Sequence, residues 1–127
     1  YLYEPNAAIL KAGAFDIVAS RHDVLKLHPN THLYTSDELK NDFPGRVFEV
    51  EDVFSPNKHH LRNFVSSNPQ ANIGVRNYPD SVAEIRKKTG IKEGGNRYVF
   101  AATLNDGQKK WIVCSKIGHK GLSPNNS

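Results

Sequence analysis

Apolar residues recur along this chain with two different periods, and the changes of period mark out the elements. From Gly45 onward the pattern is regular. Val47, Phe48, Val50, Val53 and Phe54 make a β-branched and aromatic run over 46–54 that reads as a strand. Ser55-Pro56 opens a helix over 57–66, where Leu61, Phe64 and Val65 fall at i, i+3 and i+4 and form one apolar stripe. Asn68-Pro69 ends it. Ile73 and Val75 alternate in a strand over 71–76. Pro79 opens the next helix, with Val82 and Ile85 inward, and Gly90 stops it. Strands over 97–104 and 110–117 flank Asn105-Asp106-Gly107, residues that tolerate the positive φ of a hairpin turn.

The first 44 residues are less periodic. Tyr1-Leu2-Tyr3 reads as the end of a strand, and Pro5-Asn6 as a helix start closed by Gly13. Phe15, Ile17 and Val18 continue helically to about Arg21, whereas Val24, Leu25 and Leu27 are apolar without a period. His28-Pro29-Asn30 is a turn. A short strand over 31–35 turns Leu33 one way and His32 and Tyr34 the other. Residues 36–39 read as a helical turn, and Phe43-Pro44-Gly45 as a break.

Three parts follow: a largely helical segment over 1–44, a module over 45–117, and a polar, flexible tail over 118–127. The module's order is β-α-β-α-β-β. That predicts an α+β fold, a small mixed sheet with helices on one face. Its first two strands should be parallel through a right-handed crossover, and its last two antiparallel.

Charge changes the picture. Residues 56–127 carry 12 Lys/Arg and 4 Asp/Glu, and residues 1–55 carry 5 and 9, so the two parts stand at +8 and −4. Local charge decides what a surface attracts, and the basic second part points to a polyanion, with RNA first. The single cysteine, Cys114, excludes an intrachain disulfide and suits a reducing, cytoplasmic setting. No apolar run is long enough to span a bilayer, so no membrane partner is expected. The chain lacks Met altogether and opens on a β-prone tripeptide, so it reads as a piece of something longer.

Two stretches carry a resemblance. One runs from Tyr78-Pro79-Asp80-Ser81 through Lys88-Thr89-Gly90 to Gly94-Gly95-Asn96-Arg97-Tyr98 and on to Leu104. The other is the opening Tyr3-Glu4-Pro5-Asn6-Ala7-Ala8-Ile9-Leu10-Lys11-Ala12-Gly13. Together they resemble the C-terminal part of bacterial class I S-adenosylmethionine-dependent methyltransferases that end in a THUMP-like domain. The resemblance implies a ferredoxin-like segment over 1–44, a THUMP-like module over 45–117, and a Rossmann-type catalytic domain preceding both. It implies RNA binding by analogy of fold. No cofactor is expected in this chain, and S-adenosylmethionine would belong to the catalytic domain. The nearest glycine-rich run, 90–95, follows a helix rather than a strand, the wrong context for a cofactor loop.

Arg86, Lys87, Lys88, Lys92, Arg97, Lys109 and Lys110 are the candidate nucleic-acid contacts, with backbone N–H groups of the Gly94-Gly95 loop joining in and Tyr78 or Tyr98 stacking on a base. The competing reading is that these cations complement a helix dipole and guard edge strands. Lys58, His59, His60 and Arg62 open a helix against its dipole, which favours a contact role over simple solvation. Adjacent histidines point about 100° apart on a helix and cannot chelate one metal ion. Glu49 and Glu51 read as the solvated face of a strand, Cys114 as a buried core residue, and Trp111 as half-buried on the hairpin. His28, His32 and Asp23 have no nucleophile at a motif spacing, so whether the chain is an enzyme stays open and no catalytic residue is assigned. The expected role is to hold the methyl acceptor, RNA, for the catalytic domain of the same protein. The alternative is a module that docks on that domain or dimerises and touches no nucleic acid.

Overall fold

The computed structural model describes residues 1–118, so the tail expected over 118–127 lies, apart from Gly118, outside the described residues. In chain order the elements are β1 (Leu2–Pro5), α1 (Ala7–Ala12), α2 (Phe15–His22), β2 (Leu25–His28), β3 (Thr31–Thr35), β4 (Gly45–Phe54), α3 (Lys58–Ser67), β5 (Asn72–Arg76), α4 (Val82–Thr89), β6 (Arg97–Thr103) and β7 (Lys109–Ile117). The strands form one mixed sheet in the order β2-β3-β1-β4-β7-β6-β5. Among the described strands only β5 and β6 pair in parallel, and α4 connects them. β4 and β5 do run the same way, as a helical crossover requires, but β7 and β6 lie between them. β6 and β7 are antiparallel around the 105–107 turn.

Register decides the faces. Tyr3 stands opposite Tyr34 and Val47, and Val47 opposite Ile117, which puts them on the side of the sheet that carries Trp111 and Val113. On that side Ile9, Phe15 and Val18 of α1 and α2 pack against Tyr3 and Tyr34. Phe64 of α3 and Ile85 of α4 pack against Val99, Trp111 and Val113. The fold is therefore α+β, with the helices on one face.

The other face holds Leu2, Leu33, Phe48, Phe100, Ile112 and Cys114, all buried, with no helix of the described residues over them. Curling of the sheet buries them. Thr31 Oγ1 in β3 donates to the Thr103 carbonyl of β6 (2.6 Å), and Asn77, just past β5, donates from Nδ2 to Thr31 Oγ1 (3.3 Å).

Local signals set most boundaries. Asn6 Oδ1 accepts the Ile9 N–H (3.0 Å), and Gly13 ends α1 at φ 66°, which a side chain would strain. The second helix of the module starts at Val82 rather than at Pro79, because Ser81 and Glu84 form a reciprocal capping box (3.1 and 2.8 Å).

Three expectations give way. Residues 36–39 are irregular, with a bend at 37–38, and not a helical turn, because the Tyr3 hydroxyl donates to the Glu38 carbonyl (3.1 Å) and accepts the Lys40 N–H (2.9 Å). The unpatterned Leu25 and Leu27 belong to β2, an edge strand made by pairing with β3 rather than by its own periodicity. Trp111 is buried, not half-buried: it is 1% exposed and its Nε1 donates to the Tyr78 hydroxyl (3.1 Å).

Candidate nucleic-acid interface

α3 is the element on which the basic surface is built. Asn57 caps it, with Oδ1 accepting the His60 N–H (2.8 Å). Its first turn has no acidic residue and begins with Lys58, so the positive end of the helix dipole meets a positive side chain. Leu61, Phe64 and Val65 anchor the apolar stripe, and the flanking positions are left to solvent on two sides.

On one side α3 and α4 bound a groove of about 600 Å3, lined by Lys58, Leu61, Arg62, Val65, Ser66, Lys88 and Thr89. Lys58 and Arg62 are exposed, and neither is in an ion pair among the described residues. Lys88 is paired with Asp80 (3.1 Å), and that contact raises its pKa above the ordinary value. Three cations from two helices thus share one apolar-floored groove.

The seven residues expected to grip phosphate do not gather into one footprint. Lys88 lies in the groove, and Lys87 is exposed on the same helix. Arg86 turns back into its own chain, donating to the Ile91 (3.2 Å) and Ala71 (3.1 Å) carbonyls. Lys92 is exposed and bridges to Gln70 through the backbone, while Arg97 lines a cleft beside Gln70 and is ion-paired with Glu51. Lys109 and Lys110 begin β7 opposite the far end of β6, about 17 to 20 Å along the strand from Arg97 at the usual rise of ~3.3 Å per residue. Lys110 donates from Nζ to Ser55 Oγ (2.9 Å).

The Gly94-Gly95 loop is not an open cradle. Both residues hold positive φ (120° and 79°), and the Gln70 side chain lies against them, so close that a Cβ on Gly94 would meet Nε2 at 2.7 Å. Preceded by α4 and covered by Gln70, residues 90–95 do not fit an S-adenosylmethionine loop. Glu49 and Glu51 do not share a simple strand face either. A register shift between Val50 and Asp52 frees Glu51 to reach Arg97.

Lys58 and Arg62 stand outside the seven candidates, although the sequence favours a contact role for them from their position against the α3 dipole. On the second side of α3 the sequence singles out His60 and Lys110 but not Asn63, Ser67 or Asn68. There His60, Asn63, Ser67 and Asn68 face Phe54, Ser55 and Lys110 across a polar cleft of about 580 Å3.

A model described as THUMP domain-like matches residues 45–116. The chain belongs to that family. A second model, described as a ferredoxin-like domain, matches residues 1–44 of this THUMP-like chain. Among solved structures, the crystal structure of a candidate methyltransferase from Porphyromonas gingivalis W83 is 40% identical and superposes with a TM-score of 0.86. That match covers 92% of the THUMP-like chain but only 29% of the longer one, so the chain spans less than a third of the protein it matches. No curated protein matches it. Among the described residues no group of three His, Cys, Asp or Glu is placed to hold a metal ion, and no helix is long and apolar enough to cross a membrane.

Proposed function

We propose that this chain is the acceptor-holding part of a larger S-adenosylmethionine-dependent methyltransferase and that the acceptor is RNA. The solved relative, described as a candidate methyltransferase more than three times as long as the matched region, supports the first half of that reading. The observation that carries the second half is the convergence of Lys58, Arg62 and Lys88 on the groove between α3 and α4. Lysine and arginine on phosphate oxygens supply most of the sequence-independent affinity for a nucleic acid, and among the described residues two of these three are in no ion pair. Lys87 extends the surface beyond the groove. The chain's part in the reaction is to bind and orient. The methyl donor and the reacting groups belong to the catalytic domain, which acts in the cytoplasm.

The test is RNA binding by the chain and by a Lys58→Glu/Arg62→Glu/Lys88→Glu variant. Charge reversal in the groove should abolish binding and leave the circular dichroism spectrum unchanged. Equal affinity of the two proteins sinks the reading.

A second reading has its own observation. Ile17 and Leu25 are 63% and 74% exposed, both in the region matched by the ferredoxin-like model. Large exposed apolar side chains suit docking on the catalytic domain or on a second copy, without RNA. Failure of the parent chain to bind any RNA, together with self-association lost in Leu25→Lys, supports that alternative.

A further inference from the structure

The polar cleft on the second side of α3 is a different kind of site from the basic groove. Its α3 wall is His60, Asn63 and Ser67, at i, i+3 and i+7 on one helix face, with Asn68 just beyond. Its floor is Phe54, half-buried and backed by Phe64 and Trp111, each with its ring centroid 5.8 Å away. The His60 ring stands at 64° to Phe54, making an aromatic corner. His60 Nδ1 lies 2.8 Å from the Ser55 carbonyl, an oxygen that can only accept, so Nδ1 carries the proton and Nε2 of the neutral ring is left as an acceptor.

The remaining wall is the C-terminal half of β4. β1 pairs with β4 only as far as Phe48, so beyond that residue one backbone edge of β4 has no strand beside it among the described residues. Asp52 and Lys110 both line the cleft, each from its own strand. Asp52 accepts the Val53 N–H (2.8 Å), and among the described residues Lys110 Nζ donates to Ser55 Oγ alone.

We propose that this cleft holds one unpaired nucleobase of the bound RNA, with Lys110 on its phosphate. The inference rests on the RNA reading above. An aromatic corner gives a base a surface to stack on. Asn63 Nδ2 lies 3.3 Å from His59 Nε2 and Asn68 Nδ2 donates to the Phe64 carbonyl (3.1 Å), so each amide keeps its oxygen and one N–H for the edge of a base, beside a hydroxyl and ring-nitrogen and carboxylate acceptors. Asp52 repels phosphate and attracts an exocyclic amino group, so the nucleotide lies with its phosphate toward Lys110. A duplex keeps its bases stacked and cannot fill the cleft, so the substrate class is RNA with a single-stranded segment.

The test is a 15N NMR titration of the chain with AMP, CMP, GMP and UMP, with inorganic phosphate as control, read at the side-chain amides of Asn63 and Asn68. The nucleotides should shift both amides and phosphate alone should not. Asn63→Ala, at an exposed position, should weaken a single-stranded oligomer about tenfold, the scale of one base contact, while leaving duplex affinity unchanged. Lys58→Glu/Arg62→Glu should leave the mononucleotide shifts intact. Silent amides with all four nucleotides overturn the cleft assignment, even if oligomer binding still depends on Lys58 and Arg62. Amide shifts with mononucleotides but no binding of any oligomer uphold a nucleotide cleft and overturn the RNA reading instead.

Discussion

Glu4 in β1 and Arg76 in β5 form an ion pair although their strands are separated by β4, β7 and β6 in the sheet. Arg46, opposite Glu4 on β4, grips the same carboxylate. Two guanidinium groups thus close on one acid that is only 12% exposed, and they rest over aromatic rings, Arg46 above Phe48 and Tyr98 and Arg76 above Phe100. This cluster ties the acidic first region to the basic second one across the curled face.

Removing the acid leaves two cations facing each other. A fully buried pair broken this way costs ~3–5 kcal/mol, and the partial exposure of both arginines reduces that to about 2 kcal/mol for Glu4→Ala. Urea denaturation of the variant checks it. Arg76→Met, which removes charge but keeps volume and leaves Glu4 its Arg46 partner, should cost less.

His32 makes the fold sensitive to acid. Its ring stacks flat on Phe15 (4.1 Å, 1°), and its buried Nδ1 has no hydrogen-bond partner among the described residues. Burial lowers its pKa from the ordinary 6.5, and the charges of Lys26 and Arg76 lower it further. The unfolded chain then takes up this proton before the folded one does, so stability is fully present above pH ~6.5 and falls as the pH drops below it. Melting temperatures measured from pH 7.5 down to 5 should decline, and His32→Phe should flatten that part of the decline.

Cys114 sets the opposite limit. It is buried, and burial pushes its thiol from 9.0 up to about 12. The folded chain keeps the proton that the unfolded chain releases, so this contribution is present below pH 9.0 and is lost between there and about 12. Native protein at pH 8.5 should resist alkylation by iodoacetamide, and protein in 6 M urea should react fully. Rapid labelling of the native state contradicts the buried placement.

What the sequence revealed tracks how local each signal is. Asn6, Gly13, Gly90 and the Asn105-Asp106-Gly107 turn act within a few residues, and they bound helices and turn strands where pattern reasoning places them, whereas the Ser81–Glu84 capping box moves a helix start from Pro79 to Val82. β2 was illegible because its face is set by pairing with β3. The 36–39 segment was misread because a hydroxyl more than 30 residues away organises it. The same distinction separates the interface residues. A run of cations shows in sequence, but Arg86 and Arg97 are claimed by Ala71 and Glu51, partners that only the fold brings near. Lys58 and Arg62 join Lys88 only because α3 and α4 lie side by side.

The most direct test of the central claim is the salt dependence of RNA binding. Three groove cations on a single strand contribute about −2 to the slope of log K against log salt, at roughly −0.7 for each phosphate neutralised. Replacing Lys58 and Arg62 together with Gln should make that slope shallower by about 1.4. A steep slope that the double replacement leaves untouched, or affinity that does not respond to salt at all, contradicts the account.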